Sequence, residues 1–155
     1  YFYEEVFLSL GKGEQYNIMS KMDEEELKRK ALEEKITKII QCAYNVRGVL
    51  PKGFLEKVYK NALYLELREH NLNVTPEAPI DVYYKGVVVG EYRADMLVDN
   101  DVIIELKATQ CLTRQDEVQI VNYLTALHID TGLLINFGGD NLEIKRKYRE
   151  YKKTK

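Results

Sequence analysis

Cysteine is scarce in this chain: Cys42 and Cys111 are the only two in 155 residues. Two distant thiols match no disulfide framework and no zinc-ligand spacing. Secreted domains use cysteine more densely, so the expected setting is a reducing cytoplasm. Long apolar runs are missing too. No stretch approaches the roughly 18 residues of a membrane span, so no membrane partner is expected. The opening Tyr-Phe-Tyr-Glu-Glu-Val-Phe-Leu-Ser-Leu lacks the positive leading region of a signal peptide. It also lacks an initiator Met. Met19 and Met22 are candidate starts, and the residues before them read as a fragment, a misassigned extension or a genuine arm. A dominant charge sign is absent. The net charge of -2 does not advertise nucleic-acid binding. Only Pro51, Pro76 and Pro79 supply proline, and there is no internal repeat or low-complexity linker.

What remains is an ordinary globular composition, 45% hydrophobic and 31% charged. The length fits one domain with at most a short arm, and it suffices for a core without disulfide or metal staples. Charge is unevenly placed. Asp23 to Glu26 form an acidic run, while Lys145 to Lys155 hold seven Lys or Arg against Glu150 alone. Such runs read as solvated surface or a frayed end. The basic one could also attract phosphates without regard to sequence.

Apolar periodicity predicts a helix from about Asp23 to Val46. Ile36, Ile39, Ile40, Ala43 and Tyr44 form its stripe, and Gly48 and Pro51 end it. A second helix is expected from about Gly53 to His70. Leu55, Val58, Tyr59, Ala62, Leu63, Leu65 and Leu67 fill most of its surface, which predicts deep burial. Strands follow over Pro79–Lys85, Val87–Val98 and Val102–Ala108, with turns at Lys85-Gly86 and Asp99-Asn100-Asp101. Thr113-Arg-Gln-Asp116 reads as a capping box opening a helix to His128. Strands over Thr131–Phe137 and Asn141–Lys147 complete the order. Helix, helix, three strands, helix, two strands predicts an α/β sandwich. Its mixed central sheet is flanked by helices, with an antiparallel meander and one crossover.

The informative segment runs from Arg93 to Lys107. In its first strand Tyr92, Ala94, Met96 and Val98 are apolar or aromatic, while Glu91, Arg93 and Asp95 alternate with them. In its second, Val102, Ile104, Leu106 and Ala108 are apolar, and Glu105 and Lys107 are not. Paired residues of an antiparallel ladder share a face. Matching apolar faces about a turn at Asn100 places Asp95 opposite Glu105 and Arg93 opposite Lys107; a slip by one residue would turn the apolar set outward. Two carboxylates about 5 Å apart repel unless compensated. A hard divalent cation, Mg²⁺ or Mn²⁺, would compensate them, and the Leu106 carbonyl could add a third oxygen. Lys107 would lie beside a metal-bound water or a phosphate. The plain alternative is a charged strand face on which Arg93 and Lys107 simply balance Asp95 and Glu105.

Asp95 with Glu105-Leu-Lys107 resembles the loose signature of the PD-(D/E)XK nuclease superfamily. Gly53-Phe-Leu-Glu56-Lys-Val-Tyr59 resembles the motif that names the GxxExxY protein family, a branch of that superfamily. Glu-Tyr-Arg-Ala-Asp95, Ile-Glu-Leu-Lys107-Ala, Gln119-x-x-Asn-Tyr123-Leu and Gly-Leu-Leu-Ile-Asn136-Phe-Gly agree with it, over residues 33 to 147. One departure is visible, Leu50-Pro51-Lys52-Gly53 where Leu-Gly-Pro-Gly is usual. The resemblance implies a restriction-endonuclease-like αβββαβ core with Mg²⁺ held by Asp95 and Glu105, and with Glu56 at the position of an acidic residue that often joins the metal site. It implies Lys107 as the catalytic lysine and Gln119 at the edge of the site. It suggests an N-terminal extension over 1–30, a nuclease-like domain over 31–147 and a basic tail over 148–155.

Individual residues carry rival readings. For Tyr59 a core aromatic with a satisfied hydroxyl is favoured. For Glu56 a functional role is favoured, because a buried carboxylate without a cation or donor is costly. Gln119 stays open between a core hydrogen bond and the site, and Arg93 between phosphate binding and neutralising Glu91. His70 and His128 sit near helix ends and receive no chemical role. Three functions remain: a Mg²⁺-dependent phosphodiesterase acting on DNA, a silent nuclease-fold module for interaction or nucleic-acid binding, and an RNA-directed nuclease. A nucleic acid, DNA before RNA, is the expected partner, and homo-oligomerisation is left open.

Overall fold

The computed structural model describes residues 2–150; Tyr1 and the end of the basic tail lie outside them. Contacts divide the chain between Lys38 and Ile39. The first unit contains helix α1 (Phe2–Leu8), which has no buried residue, and most of α2 (Lys12–Val49). The helix expected from Asp23 therefore starts earlier, at Lys12. The stretch from Lys12 has no proline to stop it, and helix propagates cheaply once nucleated.

The second unit begins with the last turns of α2. There Ile39, Cys42, Ala43 and Val46 are buried at three- and four-residue spacing, while Tyr44 is exposed. The stripe thus runs through Cys42 rather than Tyr44. Helix α3 (Glu56–Glu69) buries Tyr59, Leu63 and Leu67. Leu55 and Leu65 are exposed, so α3 lies on the surface with one apolar face, not deep in the core.

Five strands make one sheet in the order β1-β2-β3-β4-β5. They are β1 (Val74–Tyr84), β2 (Val87–Val98), β3 (Val102–Lys107), β4 (Thr131–Asn136) and β5 (Glu143–Tyr148). β1, β2 and β3 form an antiparallel meander. α4 (Arg114–Leu127) then carries the chain across to β4, which pairs parallel with β3, and β5 returns antiparallel. Central β3 is buried from Val102 to Leu106 and β4 along its whole length, the signature of strands covered on both faces. This mixed sheet with flanking helices is the restriction-endonuclease-like α/β fold.

α4 opens as its sequence dictates. The Thr113 hydroxyl accepts from Asp116 N at 3.3 Å, and the Asp116 carboxylate accepts from Thr113 N at 2.9 Å. Ile120, Tyr123 and Leu124 of α4 pack on Ala78, Ile80, Ala94, Ile103 and Leu134. The β4–β5 connection is tied back to the end of β3. Buried Asn136 accepts from Thr109 N and Gly138 N and donates to Thr109 O. A Cβ at Gly138 would meet the Ala108 and Thr109 backbone at 2.4 Å, so only glycine allows this close approach.

Candidate active site

The loop before α3 explains Gly53 and Tyr59. Gly53 has φ 116, and nothing lies within 4 Å of a Cβ built there, so glycine supplies conformation rather than space. Leu55 offers no side-chain cap to the helix. Instead the buried Tyr59 hydroxyl donates to Pro51 O at 2.6 Å and accepts from Phe54 N at 3.1 Å. Its ring stacks on Phe137 at 5.0 Å. The reading of Tyr59 as a core aromatic with a satisfied hydroxyl holds, and its partners show the use: it fastens the loop that leads into Glu56.

The strand register follows the expected turn at Asn100, with Met96↔Ile104, Leu97↔Ile103 and Val98↔Val102 in the ladder. The ladder then stops. Beyond it, carboxylates replace main-chain acceptors. Asp95 N donates to Glu105 Oε1 at 2.8 Å, and Leu106 N donates to Asp95 Oδ2 at 2.8 Å. Asp95 and Glu105 are brought together, each carboxylate bonded to the opposite strand's backbone.

Strict alternation fails at the same place. Ala94 belongs to the cluster under α4, and Leu97, three residues on, packs against it too. Facing therefore switches between them, at Asp95–Met96. On the neighbouring strand Glu77 takes φ 50, and no Glu77–Asp95 pair is in the ladder. Tyr92, read with the apolar set, is placed differently from expectation. Tyr92 is exposed, with its ring 5.7 Å from Tyr123 of α4. Arg93 is exposed and pairs with Pro79 on β1; the β2–β3 ladder ends before it.

Glu105 is 5% exposed. Burial, and then the Asp95 charge, push its carboxyl up to about 8. Half-buried Glu56, at the start of α3, is raised by the same two causes in the same order, with Lys107 and Lys60 opposing. Glu56 thus faces the Asp95 charge, although it is distant in sequence. The Lys107 ammonium donates to Gln119 Oε1 at 3.3 Å and lies 3.9 Å from Asp116 Oδ1. The five residues singled out from sequence, Glu56, Asp95, Glu105, Lys107 and Gln119, therefore share one neighbourhood, with Leu106 entering through its backbone.

Three further residues join them. Lys60, one helical turn after Glu56, lies 3.5 Å from Asp95 Oδ1 and also pairs with Glu77. The i, i+4 spacing from Glu56 was its signal. Asp116 reads in the sequence as a cap alone, yet its second carboxylate oxygen reaches Lys107. Buried Tyr123 has its hydroxyl pKa raised by burial and by the charges of Glu105, Tyr92 and Asp95, which sets it beside the carboxylates.

The donor set suits a hard cation. Carboxylates and a backbone carbonyl are the oxygen ligands Mg²⁺ and Mn²⁺ prefer. A buried carboxylate beside a second one, raised so far by that burial, is the environment a divalent ion relieves. The basic strand offers less. Lys145 and Lys147 pair with Glu117, and Arg149 pairs with Asp130. Cations tied to acidic neighbours are poorer phosphate binders.

Among solved structures, a protein designated SSO0001 aligns at 19% identity over 61% of this chain and 51% of its own, with a TM-score of 0.49. The chain thus spans about half the length of that protein. An alkaline exonuclease from Laribacter hongkongensis aligns at 15% identity over 70% of this chain and 76% of its own, with a TM-score of 0.35. No curated protein matches the chain. The model of the PD-(D/E)XK nuclease superfamily matches residues 33–147, which contain the whole group from Glu56 to Gln119, and the chain belongs to that superfamily.

Proposed function

We propose that this chain is a divalent-metal-dependent nuclease of the GxxExxY branch that hydrolyses phosphodiester bonds in DNA. The observation that carries the reading is the cross-bonded pair of half-buried Asp95 and buried Glu105, which repel each other and are flanked by Glu56 and Lys107. Asp95, Glu105, Glu56 and the Leu106 carbonyl would hold Mg²⁺, or Mn²⁺ in its place. When bound, the ion supplies a water of lowered pKa and positive charge for the phosphoryl oxygens. Lys107, kept beside the carboxylates by Gln119 and Asp116, donates to a phosphoryl oxygen as its charge grows. Glu56, raised by burial and by the Asp95 charge, would be held in its charged form by the ion. Gln119 holds Lys107 rather than touching substrate. The domain reads as residues 31–147 with an extension before it and a basic tail from 148.

No helix among the described residues is long and apolar enough to cross a membrane. With Cys42 and Cys111 in no disulfide, the proposed setting is the cytoplasm. One observation favours a silent binding module instead: the chain is nearly neutral, and its described β5 lysines are already paired.

The deciding experiment incubates the protein with linear and circular DNA, and separately with RNA, in Mg²⁺ or Mn²⁺. Metal-dependent cleavage of DNA, lost in Lys107→Ala, supports the proposal. Cleavage of RNA alone would reassign the substrate. No cleavage of either, or equal cleavage by Lys107→Ala, would leave the binding module as the better reading.

A further inference from the structure

We propose that Cys42, Glu66 and His70 form a second metal site that takes Zn²⁺, separate from the carboxylate pair and independent of the nuclease reading. One ligand atom from each residue, the thiol sulfur, a carboxylate oxygen and a ring nitrogen, lies within 4.8 Å of the other two. Tetrahedral zinc, with bonds of about 2.0–2.3 Å, sets its ligand atoms roughly 3.3–3.8 Å apart. His70 Nδ1 already lies 3.8 Å from Glu66 Oε2, and no pair has to close by more than about 1.5 Å, within the reach of side-chain rotation.

The placement is built by two helices. Cys42 is fully buried on the apolar stripe of α2. Glu66 and His70 sit at i and i+4 at the end of α3, so they share a face. Both are half-buried. His70 Nδ1 lies 2.8 Å from Glu66 O, a contact that orients the ring. Asn45, a turn after Cys42, donates to Glu66 Oε2 at 3.3 Å and so orients the carboxylate.

Charge and softness choose the ion. A thiolate, a carboxylate and a neutral imidazole carry two negative charges, which one Zn²⁺ cancels, so the complex can stay buried as a neutral unit. Thiolate and imidazole are borderline-soft donors that suit zinc and not Mg²⁺. The carboxylate group around Asp95 has neither donor type, so the two sites should sort the two ions. Three protein ligands leave a fourth position for water. Metal at this point would clamp the end of α3 to α2.

The test uses Cys111→Ser protein, in which Cys42 is the sole thiol, and Co²⁺ as a spectroscopic stand-in for Zn²⁺. A thiolate-to-cobalt charge-transfer band saturating at one equivalent is expected, and Zn²⁺ should abolish it by displacement. Glu66→Gln and His70→Gln should weaken Co²⁺ binding at least tenfold, while Asp95→Asn leaves it unchanged. Zn²⁺ should raise the melting temperature of the parent and not of His70→Gln. Absence of the band in folded protein, or undiminished affinity in both Glu66→Gln and His70→Gln, would overturn the proposal. Cys42→Ser adds a further check where circular dichroism shows it folded.

Discussion

The two ends of α3 present the same arrangement to different partners. At its start, Glu56 and Lys60 stand one turn apart; Lys60 lies 3.5 Å from Asp95 Oδ1, and the Asp95 charge raises Glu56. At its end, Glu66 and His70 stand one turn apart and meet Cys42. The first end gathers oxygen and ammonium around two carboxylates, the second gathers sulfur, nitrogen and oxygen. On the two proposals above, one helix serves two metal chemistries, because an i, i+4 pair only offers a face, and the element packed beside it decides which ion that face suits.

The comparison breaks most sharply on the first end. Asp95→Asn or Lys107→Ala should lower DNA cleavage by about 10²–10³-fold, the scale of a lost transition-state contact. Both should leave cobalt absorption at the second end intact. Gel assays and spectra on the same preparations read the two effects. Loss of both signals together would show that the ends are not separate.

A second effect concerns pH. In metal-free protein the Glu105 carboxyl titrates at about 8, above its ordinary value of 4.5. The native state then binds more protons than the unfolded one between those values, so stability should fall as pH rises from about 4.5 to about 8. The loss is on the order of a few kcal/mol. Urea denaturation across that range, with Glu105→Gln flattening the slope, measures it. Saturating Mg²⁺ should also flatten it. A slope of the opposite sign would place the burial of Glu105 in doubt.

Smaller effects sharpen the picture. Tyr59→Phe removes a hydroxyl bonded to both Pro51 O and Phe54 N, and should cost about 1–3 kcal/mol in denaturant unfolding. If it costs nothing, the loop before Glu56 is held by packing alone. Smallest is Lys60→Met. Its ammonium competes with a cation for Asp95, so its removal should tighten Mg²⁺ binding by roughly severalfold at modest ionic strength. Calorimetric titration would show the sign.

The first end of α3 was readable because its partners are close in sequence. Asp95 and Glu105 flank one turn, and apolar parity alone sets that register. The motif from Gly53 to Tyr59 added Glu56. Other features depend on elements that meet only in the fold. The switch of facing at Asp95 comes with the positive φ of Glu77 on a neighbouring strand. The exposure of Tyr92 likewise follows from where α4 ends its cover. Leu55 and Leu65 read as buried because an apolar count does not say which side of a helix is covered. The role proposed for Cys42 was not legible because Glu66 and His70 lie on another helix, at no spacing a motif describes.

The replacement of ladder acceptors by side chains at Asp95 and Glu105 carries a practical warning for mutagenesis. Alanine at either position removes a carboxyl group and also orphans a main-chain N–H inside the sheet. An inactive alanine variant would therefore mix lost chemistry with a sprung strand end. Asparagine and glutamine keep an oxygen in place, so the amide pair, compared with its alanine counterparts, separates what the carboxylates do for the reaction from what they do for the backbone.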